Sequence, residues 1–181
     1  MATYKEMVDK DIEFMYSIHD YCNRTAWLQD LMLLIVSNHP LKDVTTIMWI
    51  IHFIGIIELG SNHFWVVMFN LVVVVIARRI LEAKRPVEFD PDLQPTTDLS
   101  AESYAFPSLE SYMSVVIIGH MFVTTKYITI LPLGGALVFL VGFSRVYSRS
   151  RFPHQIVGSW ILGMFGLIAG FAFCSMMKID K

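Results

Sequence analysis

Residues 63–81 read His63-Phe64-Trp65-Val66-Val67-Met68-Phe69-Asn70-Leu71-Val72-Val73-Val74-Val75-Ile76-Ala77-Arg78-Arg79-Ile80-Leu81, and the choice between strand and helix for this run decides the fold. Its centre, Leu71 to Ile76, is branched at nearly every position, which in a soluble protein suits a buried strand. The apolar flanks make the run too long for that. A lone strand in lipid would also leave its backbone groups unpaired, whereas a helix pairs them internally. The run is therefore a helix, and at 1.5 Å per residue it is long enough to cross a hydrocarbon core that needs about 20 residues.

Working outward, further apolar runs occupy 44–59, 112–125, 127–143 and 156–177. The 112–125 run is short, but extending it back to Leu109 and letting Lys126 snorkel allows it to cross. The composition agrees with this reading. Of 181 residues 55% are hydrophobic and 17% charged, with mean hydropathy +0.54, where a soluble domain has about 25% charged. The expectation is an all-α, multi-pass bundle of five transmembrane spans forming one domain over 1–181. Residues 44–177 form the bundle, interrupted by a polar loop at 82–107. A net charge of -2 excludes the basic surface of a nucleic-acid binder. Cys22 and Cys174 lie far apart and suggest neither a metal site nor a disulfide framework, so no metal or cofactor is expected.

Residues 1–43 carry no signal-peptide pattern and are expected to form two amphipathic helices lying against the bundle. Ile12, Met15, Tyr16, Ile18 and His19 can share one helical face. Trp27, Leu28, Leu31, Met32, Leu34 and Ile35 make a second apolar patch ending at Asn38-His39-Pro40. The loop 82–107 is kept irregular by Pro86, Pro91, Pro95 and Pro107 and holds six acidic residues. Its length suits either a functional loop or a surface tether.

Five crossings put eleven of the fourteen basic residues on one side of the membrane, which the positive-inside rule makes cytosolic. Discounting the seven basic residues of this side that lie between Arg78 and Arg151, Lys84 among them, leaves four against three, so orientation stays open. The expected location is an endomembrane such as the endoplasmic reticulum. Arg78, Arg79 and Arg85 follow one span, and Arg145, Arg149 and Arg151 follow another. For any single arginine, snorkelling is a sufficient account. Two groups converging on one face together with Pro107-Ser108, a helix N-cap, describe a seat for a phosphate, because guanidinium forks and free helix N–H groups both suit its oxygens. The expected phosphate ligands are Arg78, Arg85, Ser108 and Arg145.

These residues fall in an order that resembles the type 2 phosphatidic acid phosphatase superfamily, which includes lipid phosphate phosphatases and glucose-6-phosphatase. Its first motif is a lysine, six residues, then Arg-Pro; here Arg78 takes the lysine position and Arg85-Pro86 matches. The second is Pro-Ser-Gly-His, against Pro107-Ser108-Leu109-Glu110. The third is Ser-Arg, five residues, His, three residues, Asp. Ser144-Arg145 matches it, with Arg151 at the histidine and Gln155 at the aspartate position. The run Arg151-Phe152-Pro153-His154-Gln155 is similar to His-Phe-Pro-His-Gln of the glucose-6-phosphatase branch.

The resemblance implies that the third-motif histidine attacks phosphorus, the second-motif histidine protonates the leaving oxygen, and the basic residues hold the phosphoryl oxygens. Arginine is not deprotonated in proteins, so Arg151 is no nucleophile and catalysis by the family mechanism is expected to be absent. His120 lies ten residues beyond Glu110 on the same helix, about 15 Å away, too far to substitute. His154 is the one remaining substitute, its alternative role being structural in the Pro153 turn. Glu110 and Arg151, opposite in charge, are expected to form an ion pair. The leading expectation is a pseudophosphatase that binds a phosphorylated lipid head group or serves as a subunit of a membrane complex; the alternative is an active lipid or sugar phosphate phosphatase with a modified mechanism. Expected partners are membrane lipids, with a homo-oligomer or complex subunits as further candidates and no nucleic acid. Gly158, Gly163, Gly166 and Gly170 suit either dimerisation or close packing inside the bundle.

Overall fold

The computed structural model describes residues 2–35, 44–95 and 104–178. Six α-helices follow one another: α1 (Ala2–Asn23), α2 (Ala26–Ile35), α3 (Val44–Leu81), α4 (Leu109–Thr125), α5 (Ile130–Tyr147) and α6 (Pro153–Met176). No strand occurs among the described residues, so the valine-rich centre of 63–81 is helical.

α3 is not one straight rod. Gly60 has φ 69° and ψ -154°, a conformation that costs a glycine little and a side-chain-bearing residue much. On a continuous helix His52 and His63 would stand about 16 Å apart along the axis. Instead His52 Nδ1 lies 3.2 Å from His63 Nε2. The chain therefore reverses at Gly60, and residues 44–59 and 61–81 are two antiparallel arms. Three helical stretches among the described residues, including this doubled one, are long and apolar enough to cross a membrane; α4 is apolar but shorter. The five expected crossings correspond to the two arms of α3, α4, α5 and α6.

α4 is the central helix, packed against α3, α5 and α6. Val66, Val67, Val74, Met113, Val116, Ile117 and Val141 fill the core between them. Polar ties are buried there too: Tyr112 Oη donates to Asn70 Oδ1 at 2.6 Å, and Asn70 Nδ2 donates to the Val66 carbonyl at 2.8 Å. The glycines of α6 make this approach possible. A Cβ on Gly166 would lie 1.9 Å from Tyr112 Oη and 2.3 Å from Asn70 Oδ1, and one on Gly163 would lie 2.9 Å from the Tyr112 carbonyl. Their small size therefore serves close packing inside the bundle.

α1 lays Val8, Met15 and Cys22 inward at intervals of seven, with Ile12, Ile18 and His19 half-buried beside them. Tyr16 was expected on this face but is exposed, its hydroxyl donating to Asp90 Oδ2 at 2.9 Å. One hundred degrees per residue carries position 16 off the stripe of Val8, Met15 and Cys22. On α2, Leu28 is half-buried and Trp27 exposed, while the side chains of Leu31, Met32, Leu34 and Ile35 and the segment Asn38-His39-Pro40 lie outside the described residues. The described ends of the loop 82–107 are packed: Leu93 and Ala105 are fully buried, and Ala105 N–H donates to the Ala83 carbonyl at 2.8 Å. This counts against a free tether for those parts.

Candidate functional site

Three loops and helix ends meet at one edge of the bundle. The α3 C-terminus brings Arg78, whose Nη2 donates to the Tyr104 carbonyl at 2.8 Å. The following turn, a single 3₁₀ turn at Pro86–Glu88, sets Arg85; its backbone N–H donates to Glu88 Oε1 at 2.8 Å. The α5–α6 connection is knotted around one atom. The Arg145 carbonyl accepts from Ser148 Oγ at 3.2 Å, Ser150 Oγ at 3.0 Å, Ser150 N at 3.1 Å and Arg151 N at 3.3 Å. Four donors on one oxygen fix the backbone of both Arg145 and Arg151. Proline at the first turn and the Gln155 side chain start α6: Gln155 Oε1 accepts from Phe152 N–H at 3.2 Å.

Arg85, Arg145 and Arg151 are 4%, 6% and 4% exposed, a degree of burial that simple snorkelling does not produce. They are electrostatic neighbours. Burial draws the Arg151 guanidinium down to about 10; Glu110 opposes this, and Arg85, Arg78 and Arg145 add to it. Arg85 is lowered by burial and by Arg78, against the pull of Glu110 and Glu88. At neutral pH each remains charged. Arg151 Nη1 donates to the Ser150 carbonyl at 2.7 Å, and its buried Nε has no hydrogen-bond partner. Arg78, Arg85, Glu110, Arg145 and Arg151 thus lie within electrostatic reach of one another.

Ser108 caps α4 as expected, its Oγ accepting from Ser111 N–H at 3.4 Å and its own N–H donating to Ser159 Oγ at 2.7 Å. The helix end is not a vacant anion seat, however. The Glu110 carboxylate accepts from Ser108 Oγ at 3.3 Å and from its own backbone N–H, and lies in the field of Arg145, Arg151 and Arg78. In place of the expected Glu110–Arg151 pair, the Glu110 carboxylate at the α4 N-terminus feels several guanidiniums, Arg145 ahead of Arg151. A cavity of about 120 Å³ adjoins it, lined by Glu110, Leu109, Met113, Ile117, Met48 and Trp49.

Gln155, at the aspartate position, is a clasp: its Nε2 donates to the Lys84 carbonyl at 3.0 Å, tying α6 to the first arginine loop. His154 turns to α1. Its Nδ1 pairs with Asp11 Oδ2, its N–H donates to the same oxygen at 3.3 Å, and its ring stacks on Phe152. Sequence reasoning missed Asp11, which lies 143 positions away and carries no motif, and Ser159, one turn beyond Gln155 on α6. The 3.6-residue period places Ser159 on the Gln155 face and was the available signal.

The fold and this cluster define a multi-pass helical membrane protein with a buried arginine nest at one membrane edge. The PAP2 superfamily pattern matches residues 59–178, and the chain belongs to that superfamily. No curated protein matches it by sequence. A solved structure similar to it is the crystal structure of the first transmembrane PAP2 type phosphatidylglycerolphosphate phosphatase from Bacillus subtilis, with 19% identity, 97% of this chain and 98% of that chain covered, and a TM-score of 0.48.

Proposed function

We propose that this protein is a non-catalytic PAP2 member that holds the phosphate of a phosphorylated lipid in the nest of Arg78, Arg85, Arg145 and Arg151. One observation carries the reading: a guanidinium, that of Arg151, stands buried among the other arginines at the position where the family places its nucleophilic histidine. A guanidinium binds phosphate oxygens well and attacks phosphorus not at all. The companion changes agree. Glu110 puts a carboxylate among arginines where the family has its leaving-group acid, and Gln155 offers an amide in place of an aspartate. Four guanidiniums against Glu110, with Glu88 at the edge, leave positive charge for a dianion. The cavity beside Glu110, lined otherwise by Met48, Trp49, Leu109, Met113 and Ile117, suits the apolar end of a lipid.

An enzymatic reading has its own observation, the His154–Asp11 pair, since a carboxylate on Nδ1 leaves Nε2 as a base. One experiment separates the two. Purified protein in nanodiscs is offered phosphatidate, a sphingoid-base phosphate and glucose 6-phosphate. The expected result is no phosphate release, with lipid phosphate binding weakened about 10- to 100-fold by Arg85→Ala or Arg145→Ala, the scale of lost charge-assisted hydrogen bonds. Turnover abolished by His154→Ala would overturn it. Absence of both turnover and binding would leave a structural subunit role.

A further inference from the structure

Away from the arginine nest, three histidines meet inside the bundle. His52 and His63, on opposite arms of α3, and His120 on α4 are 3%, 0% and 0% exposed. His52 Nδ1 lies 3.2 Å from His63 Nε2, and His63 Nδ1 lies 2.9 Å from His120 Nδ1. His63 therefore spends one ring nitrogen on each neighbour, while both neighbours present Nδ1 to it. Thr124 Oγ1 stands 3.5 Å from His120 Nδ1, Phe171 of α6 stacks on the His120 ring, and buried His120 Nε2 has no partner. Ionisable side chains inside a membrane are costly and need an explanation other than chance.

We propose that His52, His63 and His120 form a proton-binding site in the membrane interior, with His63 carrying the bound proton. A neutral imidazole has one N–H and one acceptor nitrogen. With three neutral rings both contacts are satisfied only when all N–H groups point along the series in one direction. Adding one proton from water gives a second, fully bonded arrangement. His63 becomes an imidazolium, its Nδ1–H donates to His120 Nδ1 and its Nε2–H to His52 Nδ1, and each outer ring carries its own hydrogen on Nε2. Both hydrogen bonds survive and become charge-assisted. A single buried histidine has no such refuge for its charge.

The surroundings leave this balance to the three rings alone. On α3 the nearby Glu58 is exposed; on α6 the titratable Cys174 turns its thiol to the Asn62 carbonyl at 4.0 Å; α4 adds only Thr124. Among the described residues no carboxylate, lysine or arginine acts on the three rings. His120 is ten residues from Glu110 along α4, about 15 Å toward the opposite membrane face, so the site answers to acidity on the side away from the arginines. It stands or falls independently of any phosphate binding.

The test is ¹⁵N-histidine NMR of the full chain in nanodiscs between pH 8 and pH 4. The expected result is one imidazolium appearing at His63, with ring shifts of His52 and His120 changing at the same midpoint and one proton taken up by the trio. His52→Leu and His120→Leu should each lower the His63 proton affinity by about tenfold or more, the scale of one charge-assisted bond. Three rings that stay neutral throughout, or that titrate at separate midpoints, overturn the proposal. If a variant does not fold, the unmodified chain still decides, because the shared midpoint needs no mutation.

Discussion

Glu110 is the residue on which the site turns. Its carboxylate occupies the α4 N-terminus within the field of three arginines, so a phosphate entering the nest meets an anion already in place. Replacing Glu110 with Gln removes that competitor while keeping the side chain's size and a hydrogen-bonding acceptor. Glu110→Gln should bind short-chain phosphatidate about tenfold more tightly, roughly 1.4 kcal/mol, by isothermal titration; weaker binding would show that the carboxylate helps to build the nest. The sequence made most of this cluster legible, because Arg-Pro, Pro-Ser and Ser-Arg are local signals. It could not show who shares Glu110. That depends on Arg145 and Arg151 being fixed by four donors on the Arg145 carbonyl, a product of folding rather than of spacing.

At the level of elements, α6 owes its close packing to glycine, and α1 docks through Val8 and Met15 on Val146, Phe152 and Ile156. Gly166→Ala should lower the thermal midpoint in detergent by an amount equivalent to about 1–3 kcal/mol without altering oligomeric state, because a methyl would overlap Tyr112 Oη and Asn70 Oδ1. Gly135→Ala on α5, with nothing within 4 Å of the added carbon, is the neutral comparison. On α1, burial and the Arg149 charge lower the His19 pKa below its ordinary 6.5, with Asp20 opposing. The folded state therefore takes up fewer protons than the unfolded state as pH falls through 6.5 and below, and stability drops in that window. His19→Phe should flatten this part of the midpoint-against-pH curve; an unchanged slope would refute the assignment. The α3 arms were readable from apolar run length. The histidine contacts were not, because positions 52, 63 and 120 meet only after the chain reverses at Gly60.

For the whole molecule, α1 is joined to the membrane bundle by the packing of Val8 and Met15 on Val146, Phe152 and Ile156 and by polar ties, His154 to Asp11 and Tyr16 to Asp90. Asp11→Ala removes the first. It should raise the rate of proteolytic cleavage within α1 several-fold while leaving the thermal midpoint of the bundle within about 0.5 kcal/mol, as expected when a weakly held unit opens alone. Equal loss from both would mean that α1 and the bundle unfold as one. The carboxylate held inside the arginine nest also has a kinetic consequence. If a phosphate takes its seat, Glu110 must first swing aside, so ligation is an exchange of one anion for another. The observed rate of binding should then level off at high lipid phosphate concentration, at a ceiling set by how often a side chain within the protein gives way.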